Sequence, residues 1–402
     1  MRKQVSVIMF FAIILIGISG MKVMAIEKTK TISIADFTKK LEKVTGIDEN
    51  SLYRDNEFQN REKDITNGEA ALLIDRADES INGNHYKKKV YEQVIKKKRI
   101  TGLKGIGAKK KDAIYKCFVK GIMPGKSNGA YTQSRNFNAN KSLERIEVNG
   151  ILERLVDKKK RVKLSPDGQV IRTTNLPKNY KNFSYILASF PNSFYEKKTT
   201  YERSKWGKKP KEFKDYTRPK NLRKRTFTSY WGIKYKMSEE LDKYQDIWCK
   251  KVEDNLWLRL SFDYQTVSNR WINELRKTYI IYDDKEMDKD KPKYIRKYAS
   301  IAKKNKVKLQ VQQVVVEPST MYEDSGFWVR AHVKFKLCSV KEFYSAKSCK
   351  QNYMIYGNDI YLQYLRPNKW YEADFDLQLT GNNMEYNGAA FGISDDSLDD
   401  SL

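Results

Sequence analysis

The sequence predicts an α+β protein of several domains, with helical modules in its N-terminal half and, in its C-terminal half, helices followed by an antiparallel sheet. Two observations lead to this fold class. Apolar residues recur at helical spacing before about residue 160 and again between 236 and about 305, and after 305 they alternate with polar residues, as in strands that bury one face. Helices that come before the strands, rather than between them, favour an α+β architecture.

The chain begins with a segment typical of a secretory signal peptide. Met1-Arg2-Lys3 is followed by an apolar run from Val5 to Gly20 and then by Val23-Met24-Ala25, which ends in a small residue. The apolar run is about 16 residues long, shorter than the ~20 residues that span a bilayer. We therefore expect cleavage after Ala25, a secreted protein, and no membrane span once the signal is removed. Retention of this segment as a membrane anchor is the alternative.

Positive charge is concentrated in the middle of the chain. The whole sequence has 78 Lys and Arg against 50 Asp and Glu, a net charge of +28. Between Tyr86 and Tyr235 there are 40 basic and 11 acidic residues, so this block (40 − 11 = 29) holds the whole excess. A block of this charge attracts polyanions at long range. Nucleic acid would be the expected polyanion for a cytosolic chain, but outside a bacterial cell wall polymers are abundant, so a nucleic-acid partner is disfavoured.

The few cysteines and histidines limit the disulfides and metal sites that the chain could form. Four scattered cysteines are too few for a disulfide framework, although Cys338 and Cys349 fall near the ends of successive predicted strands and could form one bridge. There is no Cys-x-x-Cys pair, and the histidines are His85 and His332. We expect no Cys/His metal site and no cofactor.

A helix, a tight loop and a second helix are predicted between Ala113 and Leu155. Gly121 stands where a left-handed C-terminal cap would end the first helix. The loop that follows is built of residues that favour turns, namely Pro124, Gly125, Asn128 and Gly129. A second helix is predicted to start near Ser142, with an apolar stripe made of Ile146, Ile151, Leu152 and Leu155.

This pattern resembles the S-layer homology module of Gram-positive bacteria, and the chain is identified as a divergent member of that family. The loop from Gly121 to Tyr131 is similar to the family loop "GI..G..(D/N)G.(F/Y)", and Leu143-Glu144-Arg145-Ile146-Glu147 is similar to the family box "(I/L)TRAE" that opens the second helix. The resemblance implies non-covalent binding of an anionic, often pyruvylated, wall polysaccharide. It assigns Arg145 to the acidic ketal.

A second copy of the box helix lies 78 residues upstream. Ile65 to Arg76 aligns with Leu143 to Arg154, and the match includes charged positions that helical periodicity alone would not produce. Asn67 replaces the family arginine here, as Glu144 replaces the family threonine in the other copy. The family usually carries three modules, and we expect the helix from Ser33 to Val44 to supply the first half of the upstream copy. The polymer-binding residues implied by the resemblance are Arg145, Glu147, Asn128, Gly129, Thr66 and Glu69.

Residues 161–235 are predicted to connect the modules to the C-terminal domain. The segment is basic and rich in aromatic residues, and these indicate packing rather than disorder. An ordered connector is the interpretation we favour, and the alternative is a sugar-binding platform formed by Tyr180, Phe183, Tyr185 and Phe190.

The C-terminal domain is predicted to contain three helices and then four strands. The helices are centred on Leu241–Leu256, on Trp271–Tyr279 with Ser268 as its cap, and on the segment after Pro292. The strands are Val307–Val311, Phe327–Leu337, Ile355–Tyr364 and Tyr371–Leu379.

One pattern in this domain points to catalysis. Glu372, Asp374 and Asp376 share the polar face of the last strand, where residues i and i+2 lie about 6.5 to 7 Å apart. Paired carboxylates in glycoside hydrolases are separated by a similar distance. Strict alternation with an apolar face is also what a solvated sheet face shows, and this is the interpretation we favour.

The sequence therefore predicts a secreted, cell-wall-associated protein that is not an enzyme. Its modules bind anionic wall polysaccharide, and its C-terminal domain has an interaction role that the sequence does not specify. The alternatives are a secreted enzyme acting on wall polymer and a general binder of polyanions or nucleic acid. The predicted parts are a signal peptide (1–25), a partial module (26–85), a full module (86–160), a connector (161–235) and an α+β domain with an acidic tail (236–402).

Overall fold

A computed structural model describes most of the chain. It covers residues 30–54, 57–197, 222–229, 232–282, 285–323, 327–341, 354–356, 360–361, 365–379 and 388–394. The predicted signal peptide, Cys349 and the acidic tail lie outside these residues. Within them, no helix combines the length and the apolar character needed to cross a membrane. Contacts divide the chain into two compact units: unit 1 comprises residues up to Lys126 together with Ser134–Gly168, and unit 2 comprises Ser127–Gln133 and the residues from Gln169 onward.

Unit 1 is mainly helical. Its helices are α1 (Ile34–Thr45), α2 (Glu49–Leu52), α3 (Asn67–Asn82), α4 (Lys88–Lys96), α5 (Ala108–Val119) and α6 (Arg145–Val156). The short strands β1 (Ile100–Thr101), β2 (Lys126–Ser127) and β3 (Arg135–Asn136) form a small sheet in the order β1-β3-β2, with β1 and β3 parallel. Helix α3 packs against α5, and α1 packs against α6.

The ends of these helices follow from their capping residues. Ser33 caps α1 by accepting a hydrogen bond from the amide of Asp36, and Thr66 and Glu69 form a complete capping box on α3. Such caps stabilise a helix by ~0.5 to 2 kcal/mol each. Helix α5 ends as predicted, because Gly121 has φ +73° and its amide donates to the carbonyl of Phe118 at 2.9 Å.

The start of α6 differs from the prediction. The helix begins at Arg145 rather than near Ser142, because Ser142 pairs with Thr66 and the amide of Leu143 donates to the carbonyl of Ile65 at 2.8 Å. Two residues of the predicted helix are thus held in extended backbone. The apolar stripe also shifts: Ile146 is 86% exposed, and the buried residues are Val148, Ile151, Leu152 and Leu155.

Unit 2 contains the predicted helices followed by an antiparallel sheet, so the chain as a whole is a mixed α+β protein. Its helices are α7 (Asn192–Glu196), α8 (Met237–Leu260), α9 (Asn269–Arg276), α10 (Lys285–Lys289) and α11 (Lys291–Lys304). The strands are β4 (Thr226–Thr228), β5 (Lys234–Lys236), β6 (Lys308–Glu323), β7 (Phe327–Ser339), β8 (Met354–Tyr356), β9 (Ile360–Tyr361) and β10 (Trp370–Gln378). The main sheet has the order β10-β7-β6, and the pairs β4-β5 and β8-β9 form separate ribbons.

Strand β6 is much longer than predicted. It continues from Lys308 to Glu323, whereas alternation in the sequence stops at Val311. The pairing with β7 shifts register between Val311 and Gln313 and again between Glu317 and Tyr322. Each irregularity interrupts the period of two, so the rest of the strand could not be recognised from alternation.

Both faces of the main sheet are covered within unit 2. Helix α8 packs against β6 and β7, and the large apolar core around Trp248 includes residues of α9 and α11. A second cluster, made by Phe183, Ile186, Leu187, Phe190, Phe194 and Tyr195, packs on Val315 of β6. The structure thus assigns residues 169–197, predicted as part of a connector, to the core of unit 2.

Candidate polymer-binding site

Three helices of unit 1 start at one place. Single antiparallel bridge pairs join Thr31 to Glu144, Ser33 to Asp64 and Thr66 to Ser142. Each pair links the residues that precede one of the helices α1, α3 and α6 to those that precede another. We call this region the helix-start junction. Because a helix N-terminus carries a partial positive charge of roughly half an elementary charge, the junction favours anions.

The start of α1 is a third copy of the box, which the sequence analysis missed. Ile32-Ser33-Ile34-Ala35-Asp36 has the same order of apolar residue, cap, two residues and acid as Ile65 to Glu69 and Leu143 to Glu147. The first two copies are 33 residues apart, a spacing that a search for repeats could have found. Helix α1, expected to supply the first half of the upstream copy, therefore begins with a box of its own.

Two arginines at matching repeat positions make similar contacts with the segment that precedes their helix. Arg76 in α3 donates from Nη1 to the carbonyl of Leu52 at 2.7 Å, and Arg154 in α6 donates from Nε to the carbonyl of Ile122 at 2.7 Å. Leu52 ends α2, and Ile122 follows the end of α5. In each case an arginine of the later helix donates to a carbonyl at the end of the earlier helix, so α2 and α3 are connected in the same way as α5 and α6.

Arg145 is the first residue of α6 and lies at the junction. Its side chain is 36% exposed, and Nη2 lies 3.0 Å from Oδ2 of Asp36, the acidic residue of the α1 box. Asp36 is itself about half exposed. An exposed pair of this kind contributes only ~0 to 1 kcal/mol, so an incoming anion can displace Asp36 from the guanidinium at small cost.

The two glutamates beside Arg145 are matched by lysines. Glu147 pairs with Lys126 at 3.1 Å. Glu144 pairs with Lys141 at 2.8 Å and with Lys30 at 3.8 Å, and the hydrogen bond from Lys141 helps hold the pKa of Glu144 below its ordinary value. These contacts reduce the repulsion that Glu144 would otherwise exert on an anion bound at Arg145.

Thr66 and Glu69 have structural roles in α3. Glu69 is only 5% exposed; it accepts hydrogen bonds from the amide and hydroxyl of Thr66 and pairs with Lys63 at 3.0 Å. Burial raises the pKa of Glu69, but these hydrogen bonds outweigh burial, so its pKa lies below the ordinary value. Both side chains are therefore engaged within the fold.

Asn128 and Gly129 belong to unit 2 rather than to the helix-start junction. Gly129 has φ +107°, a conformation that favours glycine, and its amide donates to Oγ of Ser127 at 3.2 Å. Two residues later the ring of Tyr131 stacks on His332, with 3.4 Å between centroids and 2° between planes. Within unit 2, this loop is thus fastened by an aromatic contact.

The carboxylate row of the last strand forms a ladder of cross-strand contacts with basic side chains. Glu372 pairs with Lys334 at 2.7 Å, Asp374 with His332 at 2.8 Å, and Asp376 with Arg330 at 2.8 Å, and each partner is the residue directly opposite on β7. The expected solvated face is wrong for Asp374 and Asp376, which are mostly covered. A basic group beside each carboxylate is unlike the two-carboxylate geometry of glycosidases.

His332 with Asp374 is the arrangement in the described part of unit 2 that most resembles catalytic machinery. His332 is 3% exposed, and Tyr131 covers one face of its ring. Burial, followed by the charges of Asp374 and Glu372, raises the pKa of Tyr131 to about 12. The sequence could not predict this pair, because His332 and Asp374 are 42 positions apart and lie opposite each other only through the register of β7 and β10.

Comparison with models of protein families, with curated proteins and with solved structures finds no match.

The function must therefore be argued from geometry. Among the residues that the structure describes, no group of three or more His, Cys, Asp or Glu side chains is placed to hold a metal ion. The residues brought together at the helix-start junction are Arg145, Asp36, Glu144, Lys30 and Lys141, and all of them have charged side chains.

Proposed function

We propose that the protein is secreted and binds an anionic wall polysaccharide non-covalently, with Arg145 at the helix-start junction as the main contact to an acidic substituent. The observation that carries this proposal is the position of Arg145. It combines a half-exposed guanidinium with the N-terminus of its own helix and with two further helix N-termini held beside it.

The chemistry of the junction favours a carboxylate ligand. A guanidinium offers two parallel donors that match the two oxygens of a carboxylate, such as that of a pyruvyl ketal. Asp36 already presents a carboxylate oxygen to Nη2 of Arg145 at 3.0 Å. The ligand would therefore replace one carboxylate by another. Lys30, with 80% of its side chain exposed, adds positive charge at the edge of the junction.

The test compares substitutions of Arg145 and of Asp36, the two members of the ion pair at the junction. Arg145→Ala is expected to weaken binding to extracted wall polymer at least tenfold, since it removes the main ionic contact, with little change in melting temperature. Asp36→Ala is expected to leave binding unchanged or to strengthen it a few-fold, because it removes the competing carboxylate. Binding is measured by calorimetry with the purified chain lacking its predicted signal peptide.

Arg54→Ala is the matched control, because Arg54 is an exposed arginine of the same unit beyond the end of α2. It changes the net charge by the same amount as Arg145→Ala. Equal weakening by the two arginine variants, or none by either, would leave only diffuse attraction of polyanions by the basic block. Equal weakening by Arg145→Ala and Asp36→Ala would show that the pair acts by holding the helix starts together.

A further inference from the structure

A second strongly charged surface lies at the C-terminal ends of α4, α5 and α6 in unit 1. The sequence contains two runs of the same composition, Lys96-Lys97-Lys98-Arg99 and Lys158-Lys159-Lys160-Arg161. The first begins at the last residue of α4, and the second follows the end of α6. They are 62 positions apart in sequence, and the fold brings them to one region.

The arginine of each run anchors it to the fold. Arg99 is buried and donates from Nε to the carbonyl of Asp167 at 3.1 Å, and its guanidinium also pairs with the Asp167 carboxylate. Arg161 pairs with the buried Asp78 and donates to the carbonyls of Arg154 and Leu155, each at 2.9 Å. The last residue of each run therefore points into the protein.

The segment from Asp157 to Gly168 joins the two runs. Its middle is fixed at the end of α5, where the amide of Val162 donates to the carbonyl of Gly121 at 2.9 Å. The end of the segment contacts the first run, because Asp167 binds Arg99. Asp167 is seven positions after Lys160, so the two runs lie within about 25 Å of each other even if the segment were fully extended.

Most lysines of the two runs face solvent; Lys97 is partly buried and pairs with Asp167, and Lys160 pairs with Glu153. Within the part of the chain that the structure describes, Lys96, Lys98, Lys158 and Lys159 are exposed and have no acidic partner, and Lys163 between the runs is also exposed and has none. Like charges this close repel one another, so the cluster lowers stability rather than raising it. Two segments that the fold anchors near each other nevertheless carry these lysines, and we call the exposed lysines of both runs, with Lys163, the lysine pole.

We infer that the lysine pole is a second polyanion-binding surface, and that its ligand is a linear polymer of repeating phosphate groups. Lysine is a compact, flexible point charge suited to successive phosphates, whereas planar recognition of a single carboxylate suits arginine, as at Arg145. The linear order of the two runs, with Lys163 between them, fits an extended chain. This inference does not depend on carbohydrate binding at the helix-start junction.

The test uses inorganic polyphosphate as the probe and the chain without its predicted signal peptide. Replacing Lys96, Lys98, Lys158 and Lys159 together by Gln is expected to weaken binding at least tenfold. It should also reduce the slope of log K against log salt by ~3, at ~0.7 to 0.9 for each phosphate that the variant no longer neutralises. The matched control replaces Lys87, Lys88, Lys89 and Lys104, four exposed lysines of the same unit, and is expected to change binding less than threefold.

Further measurements distinguish this inference from diffuse attraction and from membrane binding. Equal losses in the two quadruple variants would overturn it in favour of diffuse attraction, and so would failure of the unaltered chain to bind polyphosphate at low salt. Stronger binding to vesicles of phosphatidylcholine with phosphatidylglycerol than to polyphosphate would also overturn it, in favour of a membrane surface. Arg145→Ala should leave polyphosphate binding unchanged, so failure at the lysine pole and failure at the junction are distinguishable.

Discussion

Replacing Gly121 by alanine should destabilise unit 1 strongly, for two separable reasons. Gly121 has φ +73°, where an L side chain costs ~1 to 2 kcal/mol, partly offset by the lower entropy of the unfolded alanine chain. A Cβ at this position would also lie 2.1 Å from the carbonyl oxygen of Val162, which is backbone and cannot rotate away. The segment carrying Val162 would have to move and lose its hydrogen bond to the Gly121 carbonyl, worth ~1 kcal/mol.

These contributions, about 1 kcal/mol net for the left-handed conformation and ~1 kcal/mol for the lost hydrogen bond, sum to a loss of about 2 kcal/mol in the free energy of unfolding of unit 1. At roughly 3 °C per kcal/mol, the melting temperature of unit 1 should fall by about 6 °C. Gly46→Ala is the control, because Gly46 has φ +70° at the end of α1 and no atom within 4 Å of the added Cβ. It should lose only about 1 kcal/mol, which is the conformational part alone.

The assay can distinguish the two units. All seven tryptophans follow residue 205, so tryptophan fluorescence reports unit 2, whereas far-UV circular dichroism reports the helices of both units. Urea unfolding of Gly121→Ala should show an earlier transition by circular dichroism and an unchanged one by fluorescence. Equal losses for Gly46→Ala and Gly121→Ala would refute the steric argument, and with it the docking of the segment that carries the second lysine run.

Two further predictions concern charged groups. The hydrogen bonds of Glu69 outweigh its burial and leave its pKa in the folded protein below the ordinary 4.5. The ionised carboxylate therefore adds to the free energy of unfolding above pH 4.5, and this stabilisation is lost as the pH falls through the pKa of Glu69 in the folded protein. Unit 1 should therefore melt at lower temperature as the pH is lowered below about 4.5, and Glu69→Gln should flatten this dependence; identical pH profiles would contradict the assignment. Asp376→Asn should destabilise unit 2 by ~3 kcal/mol, seen as an earlier fluorescence transition, because it removes the carboxylate from the buried guanidinium of Arg330; a loss below ~1 kcal/mol would show that the pair adds little.

The features that could be predicted from the sequence are those set by neighbouring residues. The cap at Gly121, the helix that Ser33 caps, and the alternation that marks β7 and β10 depend on the dihedral preferences and spacing of a few adjacent side chains. These local preferences agree with the fold, so local reasoning succeeded.

The features that escaped prediction depend on contacts between distant segments. Helix α6 starts three residues late because Ser142 and Leu143 pair with the segment before α3. The ladder of Asp374 and His332 requires the register of two strands. Tyr131, which the family resemblance assigns to a module loop, packs in unit 2 on His332, Phe190 and Phe194. Periodicity carries no information on any of these pairings.

The three helix starts also explain why each box in the sequence is only half complete. At α3 the capping box is intact, and the first residue, Asn67, is buried and donates to the carbonyls of Phe137 and Asn138. At α6 the cap residue makes no side-chain cap, while the first residue, Arg145, is open to solvent. The copy that keeps the cap thus stabilises the junction, and the copy that keeps the arginine leaves its guanidinium partly exposed, as the proposed ligand contact requires. Because the bridge pairs hold the starts together, a cap at one helix supports an arginine at another, so neither copy needs both residues.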